Sequence, residues 1–216
     1  KWLYVSFKVN KLPKNHVVDR YFEAVKPLGV QSDGKGLELY FSDNEQLNKD
    51  FLPLSHRNNF VAFVIGASYY TKRLPTQKII EFCEHIPLPI VLIGGKEDEK
   101  AAQEIEQYFA VKKPTFILNY CAKLSLMQSA WIVSQADYVY GHDTGLMHIA
   151  AAFKKKIYAI FGGTTPELGL YPYETPHLII ENKELSCRPC SRLGKKQCPK
   201  KHFKCMQELN NMALHQ

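Results

Sequence analysis

From about residue 60 to residue 181 the chain alternates short unbroken apolar runs with longer stretches in which apolar residues recur every three or four positions. Phe60-Val61-Ala62-Phe63-Val64-Ile65, stopped by Gly66, predicts a buried strand, because it is β-branched, continuous and ended by glycine. Pro75 and Thr76 open a helix whose Ile79, Ile80, Phe82, Cys83 and Ile86 share one face, and Pro87 and Pro89 end it. Ile90-Val91-Leu92-Ile93 is the next strand, closing in Gly94-Gly95. Acid-rich Glu97-Asp98-Glu99 suits the first turn of a helix carrying Ala101, Ile105, Tyr108 and Phe109. Thr115 to Leu118 predicts a third strand, and Ser125 caps a helix with Leu126, Met127, Ala130 and Val133 inward. Tyr138-Val139-Tyr140 is a fourth strand, followed by a helix over 144–153 and a strand over 157–161.

Repeated strand–helix units with short connections imply right-handed crossovers, hence a Rossmann-like parallel sheet flanked by helices. Ligands of such sheets sit at the carboxyl ends of the strands, so function is expected in the loops after Ile65, Ile93, Tyr140 and Phe161. Residues 1–58 fit the scheme poorly. They offer a strand over Trp2 to Phe7, a helix over about 16–27 and a polar stretch, and read as the remnant of a first domain and an interdomain linker. Residues 59–182 form the Rossmann-like unit. Residues 183–216 read as a basic, cysteine-rich tail with a short terminal helix near Met206 to Leu214.

Composition narrows the partners more than the fold. The 216 residues are 45% hydrophobic and 23% charged, which excludes disordered and collagen-like chains. No apolar run is long enough to span a membrane, and the first residues are too soon charged for an export signal. Between Lys183 and Lys204 eight basic residues face one acid, so this segment carries the whole net charge of +7. A neutral body with a basic end suits a local anionic partner: a phosphorylated lipid, a membrane surface or nucleic acid. It also suits a merely solvated lysine-rich tail. Cys83 and Cys121 lie in apolar stretches and read as small core residues. Cys187, Cys190, Cys198 and Cys205 fall within nineteen residues as C-x2-C-x7-C-x6-C, with His202 interleaved. Such density allows a metal site, although the spacing departs from the common zinc patterns.

The stretch richest in chemistry begins at Gly141: G-H-D-T-G-L-M-H-I-A-A-A-F. A strand ends, Asp143 and Thr144 sit at a helix start, Gly145 permits close backbone approach, and His148 lies one turn in. Free N–H groups and the positive end of the helix dipole make such a start a site for diphosphate. The same residues also suit plain structure, with Asp143 or Thr144 as the cap, Gly145 for packing and His148 in the core.

Here the sequence resembles glycosyltransferase family 9, the ADP-heptose:lipopolysaccharide heptosyltransferases. Asp143, Thr144, Gly145, His148, Ile149 and Ala150 match a D-[TS]-G-x-x-H-[LI]-A signature. Gly66 to Pro75 match a small-residue loop ending in K-x-[WL]-P, and Phe161-Gly162-Gly163-Thr164-Thr165-Pro166 match F-G-x-T-x-P. The tail matches C-x-P-C…C-P…H-x-x-C-M through Cys187-Arg188-Pro189-Cys190, Cys198-Pro199 and His202 to Met206. The likeness covers roughly residues 60–210.

The resemblance implies the C-terminal half of a GT-B fold, two Rossmann-like domains facing a cleft. It implies an inverting transferase that moves a heptose or related sugar from an ADP-sugar to the lipopolysaccharide inner core. By motif, Asp143, Thr144, Gly145 and His148 would lie at the diphosphate and sugar, with Thr164 on the phosphate-side loop. Lys72 would pair with the phosphates, and Ser68 would approach them. Glu97, Asp98 or Glu99 would accept from the ribose hydroxyls. Lys72 and Asp143 are the residues expected to support catalysis, with no metal and no cofactor beyond the ADP-sugar substrate. The resemblance places the catalytic base on an Asp of the first domain. Neither Asp19 nor Asp33 follows a buried strand as that Asp would, so the 216 residues are expected to be part of a longer enzyme that transfers poorly alone. The alternative is a nucleotide-sugar-binding module without chemistry. A lipid-linked acceptor, peripheral membrane contact at the cytoplasmic face and no nucleic-acid partner complete the expectation. Leu74 stands where Trp is commoner in the family, which bears on packing beneath the nucleotide.

Overall fold

The computed structural model describes residues 1–42 and 45–209. Six parallel strands run β1 Val61–Val64, β2 Ile90–Ile93, β3 Ile117–Asn119, β4 Tyr138–His142, β5 Lys156–Phe161 and β6 His177–Glu181. They form one sheet in the order β3-β2-β1-β4-β5-β6. Strand order therefore reverses between β1 and β4, and the crevice at their carboxyl ends is the switch point where such sheets take ligands.

Helices α3 Thr76–Glu84, α4 Glu99–Lys112, α5 Leu126–Gln135 and α6 Gly145–Ala152 connect the strands. Alternate strand positions feed opposite faces. Val61, Phe63, Ile90 and Leu92 pack with α3 and α4, while Ala62, Val64, Val91 and Ile93 pack with α5 and α6. Burial on both faces explains why β1 and β2 read as unbroken apolar runs. Ser125 closes a capping box on α5: its hydroxyl accepts from the Gln128 N–H at 3.2 Å, and its own N–H donates to Gln128 Oε1 at 2.9 Å.

Four elements differ from expectation. Trp2–Phe7 is a helix (α1), not a strand. Its backbone is satisfied locally, from the Val5 N–H to the Lys1 carbonyl and from the Lys8 N–H to the Tyr4 carbonyl. The third strand begins at Ile117, because Thr115 turns through a left-handed φ of 63°. Leu126 is 64% exposed rather than inward: as the first residue of α5 it lies at the mouth of the cleft beside the ends of β1 and β2. Strand β6, for which the sequence reading names no element, pairs with β5 along five residues. Of the terminal helix, Lys204–Gln207 (α7) is present, and the remainder beyond residue 209 lies outside the described residues.

The flanking segments pack onto this unit. Leu37, Phe41, Leu47 and Leu52 cover the α5/α6 face, with Phe41 stacked on Phe153 at 5.3 Å. His16 caps α2 Val17–Val25 and lies between Tyr171 and Tyr173, whose hydroxyl donates to Asp19 at 2.6 Å. Asp19 is thereby committed to the cap. At the other end, Phe203, Cys205, Met206 and Leu209 join the α3/α4 face of the core.

Candidate functional site

Two adjoining chambers open at the switch point. The first, about 300 Å³, is lined by Gly66, Ala67, Ser68, Gly94, Gly95, Glu97 and Asp98 from the ends of β1 and β2. Leu124, Leu126, Ser129, Thr144, Gly145 and Leu146, from the starts of α5 and α6 and the residues just before them, complete it. The second, about 260 Å³, is lined by Ser68, Tyr69, Lys72, Asp143, Thr144, Gly145, His148, Leu170 and Leu193. Ser68, Thr144 and Gly145 belong to both. One chamber is an apolar slot with carboxylates at its rim, and the other has a cation opposite a helix N-terminus.

Lys72 ends a short 3-10 turn, Tyr70–Lys72, after β1. Its Nζ lies 2.8 Å from Asp143 Oδ2 and donates to the Asp143 backbone carbonyl at 2.9 Å. The two side chains are 12% and 6% exposed, so water screens them weakly. Asp143 Oδ2 also accepts from Thr164 Oγ1 at 2.8 Å. Thr144 is the N-cap of α6, and its hydroxyl oxygen is buried without a hydrogen-bond partner. A buried polar atom so placed is satisfied at low cost by a ligand oxygen. Gly145 faces open space on the side where a Cβ would point. His148 lies one turn into α6, and burial pulls its ring below the ordinary histidine range, so it sits at the chamber as a neutral ring near pH 7. Behind the site, His142 Nε2 accepts from the Leu74 N–H at 3.0 Å; full burial lowers this ring to about 4.

The acidic trio divides. Asp98 accepts from the Gly95 N–H at 2.8 Å and faces Arg73 at 3.3 Å, which pins the loop after β2, while burial raises its carboxyl. Glu97 is exposed at the rim, 3.2 Å from Arg73. Glu99 stands outside both chambers, exposed on the first turn of α4. Thr164 is also outside both, buried behind Asp143. Ser68, Lys72, Asp143, Thr144, Gly145 and His148 are brought together. Sequence reasoning overlooked the apolar lining, Leu124, Leu146, Leu170 and Leu193, because three of the four are single loop residues with no periodicity and Leu146 stands alone at the start of α6. Arg73, next to Lys72, was legible as a charge but not as the partner of two carboxylates.

Cys83, Cys121 and Cys205 are buried, and Cys187, Cys190 and Cys198 half-buried; all six are free thiols. Burial raises Cys190 and Cys205, the latter to about 12. Cys187 Sγ lies 3.9 Å from His202 Nε2. Among the described residues, no three His, Cys, Asp or Glu side chains converge as an ion-holding set.

A six-stranded parallel sheet with this order and a cleft at its switch point has the architecture of a Rossmann-like half of a GT-B fold. It overlays a glycosyl transferase family 9 structure from Veillonella parvula with a TM-score of 0.72, at 17% identity, covering 99% of this chain and 63% of that one. It overlays E. coli heptosyltransferase WaaC with ADP with a TM-score of 0.59, at 22% identity, covering 84% and 56%. The sequence model of glycosyltransferase family 9 (heptosyltransferase) matches residues 1–203, and the chain belongs to that family. It is 27% identical over 211 residues to lipooligosaccharide heptosyltransferase 2 of Campylobacter jejuni, covering 94% of this chain and 63% of that protein. The chain thus spans just under two thirds of that curated relative's length.

Proposed function

We propose that this chain carries the donor-binding half of an inverting glycosyltransferase, which moves a heptose or related sugar from an ADP-sugar to the inner core of lipopolysaccharide. Family membership supports the reaction class. The observation that carries the assignment of the site is the Lys72–Asp143 pair at the N-terminus of α6, beside an unpartnered Thr144 hydroxyl. In this reading the nucleoside occupies the first chamber, with its ribose toward Glu97 and Asp98, and the diphosphate spans Ser68, Thr144 and Gly145 into the second. The sugar then meets His148.

When the bond to the sugar breaks, negative charge grows on the leaving diphosphate. Lys72 and the free N–H groups of α6 stabilise it more in the transition state than in the ground state, which is what accelerates the step. The charge is met by protein groups, so transfer is expected to survive chelation of divalent ions. Removal of the acceptor proton needs a base. Asp98 and Asp143, the buried carboxylates at the cleft, are already engaged with the Gly95 N–H and with Lys72, which leaves neither free for that role. The acceptor is lipid-linked, and the exposed Lys195, Lys196, Lys200 and Lys201 provide the attraction to an anionic membrane surface at the cytoplasmic face. No helix among the described residues is long and apolar enough to cross a membrane.

Calorimetry with ADP, followed by a transfer assay with ADP-heptose and a heptose-accepting core, tests the reading. Micromolar ADP binding is expected; absence of binding refutes the donor site. Turnover by this chain refutes the alternative of a nucleotide-sugar module without chemistry.

A further inference from the structure

The cysteine-rich segment does more than follow the sheet. Arg188, of the Cys187-Arg188-Pro189-Cys190 motif, is 8% exposed and lies behind the turn that leaves β5. Its guanidinium donates to five acceptors in one place. Nη2 reaches the carbonyls of Phe161 at 3.1 Å and Thr164 at 3.0 Å, and Glu181 Oε2 at 2.9 Å; Nη1 reaches the Asn182 carbonyl at 2.7 Å; Nε reaches the Gly162 carbonyl. Both ionic side chains are about as buried as the core, Arg188 at 4% and Glu181 at 5%. Planar guanidinium suits such a set of converging oxygens, and a lysine in its place reaches only part of it.

The same turn is clamped from the other side. The Gly163 N–H donates to the Thr71 carbonyl at 2.9 Å, and the Cys190 N–H donates to the Gly163 carbonyl at 2.9 Å. Lys195 completes the clamp, its N–H donating to Thr71 Oγ1 at 2.8 Å. A Cβ on Gly163 would lie 2.9 Å from both Cys190 Sγ and Thr71 Cβ, so only glycine permits this approach. Thr71 precedes Lys72, and Thr164 holds the carboxylate that pairs with Lys72.

We propose that Arg188 is a positioning residue for the donor site: it fixes the Phe161–Thr164 turn, and through Thr164 and Thr71 it sets where Asp143 and Lys72 stand. The proposal rests on the donor-site reading above. Arg188 itself lines neither chamber, and its effect runs through Thr164 and, by way of Gly163, Thr71.

The test uses R188K, T164V, the R188K/T164V double variant and, as a second probe that leaves the arginine in place, E181Q. Nucleotide-free hydrogen exchange of the peptides over 69–73, 141–145 and 161–165 is read with ADP affinity and melting temperature. R188K is expected to weaken ADP binding roughly tenfold, the loss that follows when the binding-competent turn is populated about a tenth of the time. It is expected to speed exchange in those three peptides while the β2–α4 region stays protected. E181Q should show the same pattern more weakly. T164V should cost less affinity on the R188K background than on the wild type, because the two act along one path. Unchanged exchange in R188K, or additive losses with T164V, overturns the proposal. Failure of the wild type to bind ADP refutes the donor reading instead, and the exchange data still decide whether Arg188 holds the two turns.

Discussion

Replacing Lys72 with methionine separates what the Lys72–Asp143 pair does for the fold from what it does for a ligand. Methionine keeps most of the length and removes the charge, leaving Asp143 buried with its Thr164 contact alone. Removing one partner of a buried ion pair costs about 3–5 kcal/mol, and the retained hydrogen bond argues for the lower end, about 3 kcal/mol. For a chain of this size each kcal/mol moves the melting temperature by about 2–4 °C, so K72M should melt about 6–12 °C lower. Adding D143N makes the pair neutral, keeps an oxygen for Thr164, and should return stability to within about 1 kcal/mol of wild type. Diphosphate affinity should not return with it. A lost charge-assisted hydrogen bond is worth about 1.5–3 kcal/mol, so K72M/D143N should bind ADP roughly 10- to 150-fold more weakly than wild type. Calorimetric ADP titration beside thermal melting reads both quantities on the same samples. A K72M protein as stable as wild type would show that the pair is not a buried one. A double variant that binds ADP normally would show that the ammonium group is not a phosphate contact.

Three further outcomes are expected. His142 titrates at about 4 in the folded chain against an ordinary 6.5, so the unfolded state binds more protons between these values. Its contribution, of order 3 kcal/mol, is full above about pH 6.5 and lost as pH falls toward 4. H142Q keeps an acceptor for the Leu74 N–H and should flatten that acid limb in urea melts across pH, though His16, His56 and His148, also lowered by burial, retain part of it; an unchanged slope would refute the assignment. In G66A the new Cβ would lie 2.5 Å from Asp98 Oδ2 and 3.3 Å from Gly94 Cα, so the Asp98 loop must move; ADP affinity should fall and stability drop by about 1–3 kcal/mol, and a wild-type titration would count against the first chamber. Reversing Lys195, Lys196, Lys200 and Lys201 to glutamate should reduce binding to anionic liposomes at low salt without lowering ADP affinity, and equal liposome binding would dismiss the membrane role.

The sheet was legible because strands buried on both faces have to be apolar throughout, and glycine ends them where a cleft needs room. Helix α5 was legible through Ser125, whose capping geometry is local. The proposed site was legible where consecutive residues at one strand–helix junction line the cleft, as Asp143, Thr144, Gly145 and His148 do. What escaped is what three-dimensional context decides. Trp2–Phe7 has no intrinsic pattern that forbids a strand, yet its N–H groups close onto carbonyls four residues back as a helix. Glu97, Asp98 and Glu99 are equivalent in sequence, and only the fold directs Asp98 inward and Glu99 away. Thr164 matched a motif, yet its hydroxyl serves Asp143 rather than a chamber, a role that depends on strands β4 and β5 lying side by side.

The last described residues share two jobs at neighbouring positions. Cys205 and Met206 sit in the core while Lys204 points to solvent, and Arg188 is sealed in while Arg192 is exposed. Trimming the chain after β6 to discard a lysine-rich appendage would therefore strip a wall from the sheet and leave Gly162, Gly163 and Thr71 without their cover.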